Sequence, residues 1–204
     1  MPGPRTQYDI DSLTDVALRV FAERGFDGAS MDDVAREAGI TKAAIYHHVS
    51  GKEELLERGL GRALEALFSV LEEREATDGP PLERVRYIVK RVAELALALR
   101  PELTVLVRVR GNSRAARRAI ARRRAFDASV AVLVRQAQIS AALDPALDAG
   151  LVVRLIFGLC NSLVEWYRPT GTLRAETIVA TVVQMVFEGT GANLTARADH
   201  ATVA

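Results

Sequence analysis

Side chains that form hydrogen bonds are concentrated in a short stretch between residues 41 and 52. Hydroxyl, ammonium and imidazole groups can contact the phosphate oxygens and base edges of double-stranded DNA. The candidate DNA-contacting residues are Ser30, Thr41, Lys42, Ala43, Tyr46, His47, His48 and Lys52. Lys52 is expected to bind a phosphate. Tyr46 and His48 could instead pack inward or donate to phosphate, so their roles stay open.

Two short helices joined by a tight turn are predicted to position these side chains. Ser30 is a favourable N-cap, and Asp33 three residues later can complete a capping box. The first helix therefore begins at Met31. Gly39 can adopt the left-handed conformation that ends it.

The second helix is predicted to follow Thr41, its N-cap, and to run from Lys42 to about His48. Ala44 and Ile45 face inward, which leaves the candidate residues outside. This arrangement is a helix-turn-helix whose second helix can enter a DNA major groove. The same spacing can also arise by accident, because any helical bundle contains short helices joined through glycine.

The segment from Leu13 to Leu56 resembles the N-terminal domain of the tetracycline repressor (TetR) family and covers about the first quarter of the chain. The matching residues are Ala17, Phe21, Gly25, Phe26, Ser30, Met31, Asp33, Val34, Ala35, Ala38, Gly39, Tyr46, His48, Lys52, Glu53, Glu54, Leu55 and Leu56. Two positions differ from the family pattern: Val49 replaces the usual Phe, and Gly51 the usual Ser. The resemblance implies a dimeric transcriptional regulator, expected to be a repressor that binds a palindromic operator.

Composition and patterning predict an all-α protein. Of the 204 residues, 49% are hydrophobic and 5% aromatic, and the abundance of Ala, Leu, Arg and Glu favours helices. We expect a DNA-binding domain at residues 1–52 and a ligand-binding and dimerisation domain at 53–204. A linking helix is predicted over 52–75, and a tail after residue 190.

Several observations predict a soluble cytoplasmic protein that is not an enzyme. The single cysteine, Cys160, cannot form an internal disulfide, and no signal peptide is predicted. The window from Leu151 to Trp166 is predicted to be too short and too polar to span a bilayer. His47, His48 and His200 form no metal-binding pattern, and nucleotide-binding and hydrolase motifs are missing from the sequence. No metal or cofactor is therefore expected.

Two later helices carry more apolar surface than one small domain can bury. Residues 151–167 are apolar on nearly every side, and residues 174–188 carry a doubled apolar stripe. We expect these helices from two subunits to pair as a four-helix bundle, as in the resembling family. The alternative is that they pack on the body of a monomer. A helical ligand-binding or scaffold protein without specific DNA binding is the competing function.

Positive charge is concentrated outside the helix-turn-helix. The first 55 residues contain six Lys or Arg and ten Asp or Glu, a net charge of −4. Eight arginines and no acid lie between residues 108 and 124: Arg108, Arg110, Arg114, Arg117, Arg118, Arg122, Arg123 and Arg124. They could form a solvated face paired with acids from elsewhere, or an anion site. Direct DNA contact is the weakest of the three interpretations, since the family reads DNA with its N-terminal domain.

The segments at residues 122–126 and 165–173 resemble family members that respond to acyl-coenzyme A thioesters. Such a ligand joins an apolar acyl chain to several phosphate charges. An apolar pocket would suit the acyl chain, and arginines at its mouth would suit the phosphates. The candidate pocket residues are Tyr87, Arg108, Val109, Arg118, Arg122, Phe126, Phe157, Asn161 and Trp166, with the three arginines for phosphate. Trp166 could equally belong to the core or to the dimer interface.

Overall fold

The computed structural model describes residues 9–190, which form ten α-helices and no strand. The helices are α1 Ile10–Arg24, α2 Met31–Ala38, α3 Lys42–Tyr46, α4 Lys52–Val70, α5 Arg74–Thr77, α6 Pro81–Ala98, α7 Arg100–Arg108, α8 Arg114–Ile139, α9 Ala149–Trp166 and α10 Ala175–Phe187. The all-α prediction is confirmed. The predicted tail after residue 190 lies outside the described residues.

Helices α1 to α3 share one core with the first half of α4. The rings of Phe21 and Phe26 meet edge to face with their centroids 5.3 Å apart. Ile45 from α3 and Leu55 from α4 are fully buried beside them. Because α3 has one apolar anchor in this core, the packing of Ile45 decides how the short helix is oriented.

Helix α1 begins earlier than the sequence predicts. The spacing of Ser12 and Asp15 predicts a start at Ser12, but the N-cap is Asp9, whose carboxylate accepts the Ser12 N–H at 2.8 Å. Both Asp9 and Ser12 are favourable caps. The earlier start adds Ile10, which packs partly buried against the core, to the apolar face of the helix.

Helices α3 and α4 end earlier than predicted. Helix α3 stops at Tyr46, and the chain continues through a turn in which the N–H groups of His48 and Val49 both donate to the Ile45 carbonyl. Helix α4 ends at Val70 instead of near residue 75. With 19 residues it is about 28 Å long.

The end of α4 is explained by Glu73, which lies in extended conformation before the short helix α5. Its carboxylate accepts hydrogen bonds from the Tyr87 hydroxyl and the Arg91 guanidinium on α6. These bonds lower the pKa of Glu73 and raise the pKa of Tyr87 to about 12. The contact with α6 therefore turns the chain where the apolar pattern alone would continue the helix.

The hydrophobic core continues between α4, α6, α8 and α9. The ring of Phe126 stacks on Phe157 with a centroid distance of 5.5 Å and meets Phe68 edge to face at 5.7 Å. Cys160 is fully buried in the same core, and burial raises the pKa of its thiol to about 12. Cys160 thus behaves as a small hydrophobic residue and is a poor nucleophile.

Helix α9 begins after Asp148, whose carboxylate accepts the Leu151 N–H at 2.7 Å. The sequence predicts the start at Asp144 and Pro145, which is wrong. Asp144 instead holds a turn by accepting the Ala146 N–H at 2.9 Å.

Helix α9 has two faces of different character. One face packs on α6, α7 and α8, while the other leaves Leu151 and Leu155 exposed by 53% and 65%. Among the described residues, α9 alone is long and apolar enough to cross a membrane, with a mean hydropathy of 1.4 over 18 residues. This corrects the prediction that the window is too short and too polar. A helix that is covered on more than one side in an assembly has the same composition.

The close approach of α1 and α4 depends on Gly59. A Cβ atom added there would clash with the Leu18 side chain of α1, and Leu18 is fully buried. Gly61, two residues later and on the opposite side of α4, has no such neighbour within 4 Å. The two glycines therefore form a matched pair in one helix.

We expect Gly59→Ala to destabilise the fold by about 1–3 kcal/mol, because overpacking outweighs the gain in helix propensity. Gly61→Ala should instead stabilise it by up to about 1 kcal/mol. Urea unfolding of both variants measures the difference. If both alanines stabilise the protein equally, the close contact between α1 and α4 is not present in solution.

Candidate nucleic-acid interface

Asp33 fixes the start of α2 and joins it to α1. Its carboxylate accepts the Ser30 N–H at 3.0 Å and the Ser30 hydroxyl at 2.6 Å, while Ser30 Oγ accepts the Asp33 N–H at 3.2 Å. Arg24 and Arg36 donate to the other carboxylate oxygen at 2.7 and 3.0 Å. The hydrogen bonds from Ser30 are the main cause that lowers the pKa of Asp33 to about 2. The predicted capping box is confirmed, and Ser30 has a structural role in it.

The turn between α2 and α3 forms as the sequence predicts. Gly39 adopts the left-handed conformation with φ of 67°. Thr41 Oγ1 then accepts the Ala44 N–H at 3.2 Å and caps α3. Ile45 is fully buried and Ala44 is half-buried. The five residues of α3 thus have one side fixed in the core and the other side free.

The candidate residues on the outer side of α3 are all exposed: Thr41, Lys42, Ala43, Tyr46, His47 and His48. Lys42 Nζ lies 2.9 Å from Asp32 Oδ2, and this carboxylate raises the pKa of Lys42. Both partners of the pair are largely exposed, so the pair is weak and a phosphate can replace Asp32. Exposure agrees with the predicted role of these residues, while their contacts with DNA stay a prediction.

Lys52 occupies a different position from the one predicted. Its ammonium group donates to the carbonyl oxygens of Phe26 and Ala29 at 2.9 Å each, and to that of Asp27 at 3.4 Å. It also lies 4.6 Å from the centroid of the Phe26 ring. An ammonium group has three donors, and all three are used. The expectation of a free phosphate ligand is corrected: Lys52 holds the connection between α1 and α2.

The helix-turn-helix is joined to the later helices by polar contacts. Glu53 at the start of α4 accepts the Ala115 N–H at 3.2 Å, and this bond is the main cause that lowers the pKa of Glu53. Asn112 Nδ2 donates to Asp27 Oδ2 at 2.7 Å. The guanidinium of Arg108 donates to the Ala22 carbonyl at 2.8 Å and also pairs with Glu165. The end of α1 is thereby linked to the end of α9.

The nine candidate ligand-binding residues do not form one pocket. Phe126, Phe157 and Asn161 meet at a core cavity of about 30 Å³, which is too small for a ligand. Val109 lines a separate cleft of about 200 Å³ beside α1. Trp166 is 48% exposed at the end of α9. The single-pocket prediction is corrected, because its members were chosen by spacing on helices that face different directions.

The polar members of that set have partners of their own. Tyr87 donates to Glu73, Arg108 pairs with Glu165, and Arg118 Nη1 lies 3.0 Å from Glu57 Oε1. The guanidinium of Arg122 lies over the Phe68 ring, 5.3 Å from its centroid. For Arg108 and Arg118, the interpretation of an arginine face paired with acids from elsewhere is confirmed.

The sequence did not identify an open groove of about 890 Å³ between α6 and α10. Its apolar wall includes Leu97, Val179 and Val183, and its polar residues include Lys90 and Glu94. A volume of this size suits a small-molecule ligand. The doubled apolar stripe of α10 was the available signal, because one half of the stripe packs on α6 and the other half lines the groove.

Within residues 9–190, no three His, Cys, Asp or Glu side chains are grouped so that they could hold a metal ion. The structure instead places the short exposed helix α3 on the packed helices α1 and α2, and the later helices contain an open groove. This is the geometry of a nucleic-acid-binding unit attached to a second, ligand-sized site.

Comparison with known protein families assigns both regions. Residues 13–58 match the family described as bacterial regulatory proteins, tetR family, and residues 78–190 match the tetracyclin repressor-like C-terminal domain. The second match alone covers more than half of the chain. The chain belongs to the tetR family of bacterial regulatory proteins. It is a DNA-binding transcriptional regulator.

Individual relatives agree over most of the chain. The crystal structure of SCO3833, a TetR-family member from Streptomyces coelicolor A3, has a TM-score of 0.83 and 44% identity and covers 88% of this chain and 91% of SCO3833. The transcriptional repressor KstR2 of Mycolicibacterium smegmatis is 27% identical over 188 residues, which are 88% of this chain and 89% of KstR2. AibR, solved with isovaleryl coenzyme A and operator DNA, shares the fold with a TM-score of 0.76 at 23% identity, over 87% of this chain and 97% of AibR.

The carbonyl contacts of Lys52 and the exposed position of Lys42 predict different effects of their substitution on stability and on DNA binding. Lys52→Met removes the ammonium group but keeps an apolar stem, and we expect a loss of about 2 kcal/mol in unfolding free energy. The dependence of DNA affinity on salt should not change, because carbonyl oxygens of the protein already engage the Lys52 ammonium group. Denaturant unfolding and DNA-binding titrations at several salt concentrations measure both quantities.

Lys42→Met is the matched control. Its exposed pair with Asp32 should contribute little to stability, and the loss of its charge should reduce the salt dependence of DNA binding. A reduced salt dependence in Lys52→Met, with stability unchanged, would restore the original role of Lys52 as a phosphate ligand.

Proposed function

We propose that this protein is a transcriptional repressor that binds a palindromic operator as a homodimer and is released by a small-molecule effector. The observation that carries the proposal is the outer side of α3, which is exposed and fixed by the burial of Ile45. Thr41, Lys42, Ala43, Tyr46 and His47 are the proposed contacts to bases and phosphates. The KstR2 relatives, which are named repressors, support the direction of regulation.

The dimer is proposed to form through residues 151–167 and 174–188 as a four-helix bundle. Exposed apolar side chains repeat along the outer face of α9 at Leu151, Leu155 and Trp166, and Met185 of α10 is 44% exposed. Burial of such a face against its own copy explains why a regulator carries it. Two-fold symmetry then places the two α3 helices in half-sites about 34–36 Å apart, or a multiple of that.

The effector is proposed to be an acyl-coenzyme A thioester, bound with its acyl group in the groove between α6 and α10. The apolar wall of the groove suits an acyl chain, and isovaleryl coenzyme A is bound by AibR, which shares the fold. Glu94, Glu176 and Glu188 also line the groove. The phosphates of the ligand must therefore lie away from these carboxylates.

Arg108 is the proposed connection between the effector site and DNA. It contacts α1 through the Ala22 carbonyl and α9 through Glu165, so a shift of α9 changes the support of the helix-turn-helix. An effector releases DNA only to the extent that it prefers a dimer in which the two α3 helices have the wrong separation. Such a regulator acts in the cytoplasm, without metal, cofactor or catalytic step.

Gel-shift titration of the promoter DNA next to the protein's own gene tests the function. The wild-type protein should shift this DNA, and Lys42→Ala and Tyr46→Ala should each weaken the shift about tenfold or more, since a base or phosphate contact contributes about 1–3 kcal/mol. Arg135→Gln, an exposed change at the far end of α8, should bind normally. Normal binding by both α3 variants would remove this helix from DNA recognition.

A panel of acyl-coenzyme A thioesters in the same titration tests the effector. One thioester should abolish the shift, and free coenzyme A should not. A shift that resists every thioester would reject this effector class while keeping the regulator. No DNA binding under any condition would favour a helical ligand-binding protein without specific DNA recognition.

A further inference from the structure

Arg110 lies in the turn between α7 and α8, and Arg114 is the first residue of α8. Arg108 and Arg118 pair with Glu165 and Glu57. Arg110 and Arg114 are exposed and have no carboxylate within 4.0 Å in the described part of the chain. We call residues 110–114 the arginine turn. Its two free guanidinium groups are available to bind an anion.

The arginine turn is held against the helix-turn-helix. Asn112 in the middle of the turn donates to Asp27 at 2.7 Å, between α1 and α2. Ala115, next to Arg114, donates its N–H to Glu53 at the start of α4. Arg110 also shares a cleft with Gly28, two residues before the N-cap of α2. The turn therefore lies beside the amino-terminal end of α2.

The position of the arginine turn beside α2 suggests which part of a bound DNA it would face. The first helix of the motif crosses the DNA backbone, while the second enters the major groove. A side chain next to the amino-terminal end of α2 therefore lies near phosphates at the edge of the half-site and away from the bases. Arginine binds phosphate oxygens through its forked donors.

The charge balance of the helix-turn-helix also favours a phosphate-binding role for the arginine turn. The first 55 residues have a net charge of −4, and four of their six cations have partners: Arg24 and Arg36 pair with Asp33, Lys42 pairs with Asp32, and Lys52 donates to backbone carbonyls. Phosphate binding supplies much of the affinity for DNA. A helix-turn-helix with so few free cations needs positive charge from another part of the protein.

We propose that Arg110 and Arg114 bind backbone phosphates of the DNA that flanks each half-site. The part of the chain that follows the helix-turn-helix then takes a direct part in DNA binding. This inference rests on the proposed function. Arg117 supports the turn, because its guanidinium donates to the Gly111 carbonyl at 3.2 Å. The two contacts add affinity without adding sequence specificity.

The test compares two double variants in DNA-binding titrations over a range of salt concentrations. Arg110→Gln/Arg114→Gln removes the proposed contacts. Arg74→Gln/Arg135→Gln removes the same charge from the start of α5 and the far end of α8, where both side chains are exposed. The DNA is a duplex selected by the wild-type protein from random sequences and extended by about one helical turn, about 10 bp, on each side.

The slope of log affinity against log salt should become shallower by about 2 to 4 for Arg110→Gln/Arg114→Gln, since each of up to four phosphate contacts in a dimer contributes about 0.9. The control variant should keep the wild-type slope. With the flanks removed from the duplex, the first variant should approach the wild-type slope. Both variants are exposed changes, and their thermal unfolding should match that of the wild type.

An equal slope for Arg110→Gln/Arg114→Gln and the control on flanked DNA would overturn the inference while leaving the regulator intact. An effect of the same size on trimmed and flanked DNA would also overturn it, because the arginines would then act inside the half-site. Failure of the wild-type protein to select any DNA would instead reject the proposed function itself.

Discussion

Helix α3 has five residues, and a helix of that length is unstable in water unless the rest of the protein holds it. Burial of Ile45 fixes one side, and the turn at Gly39 and Thr41 fixes its entry. The packing of α1 and α2, which support α3, depends on two charged groups. Asp33 joins α2 to α1, and Lys52 closes the connection between them through three carbonyl oxygens. These contacts fix the orientation of the exposed face of α3 relative to α1 and α2.

A separate set of contacts attaches the helix-turn-helix to the later helices. Glu53 caps the start of α8, and Arg108 contacts both α1 and Glu165 of α9. The groove between α6 and α10 lies in that second region. A change in the packing of α9 or α10 can therefore reach α1 through one guanidinium group, without unfolding any helix.

The features that sequence could predict are local. The capping box of Ser30 and Asp33, the left-handed Gly39 and the Thr41 cap each involve residues within a few positions of one another. Their side chains decide the conformation before any tertiary contact forms. The same holds for the helical pattern throughout the chain, which is why the all-α class follows from the sequence.

The features that sequence could not predict depend on distant partners. Lys52 contacts carbonyls 23 to 26 residues earlier, and Arg108 and Glu165 are 57 residues apart. Both lysine and arginine look like free cations until those partners are known. Glu73 ends α4 early for the same reason, since its contact with α6 has no local signal. The large groove was missed because an apolar stripe does not reveal which of its residues are covered.

Hydroxyl-radical footprinting of the protein on its selected DNA shows whether two α3 helices bind two half-sites of one operator. Two protected regions are expected on one face of the duplex, with centres about 10–10.5 bp apart or a multiple of that. Protection of a single region, or of the whole duplex without periodicity, would contradict this arrangement.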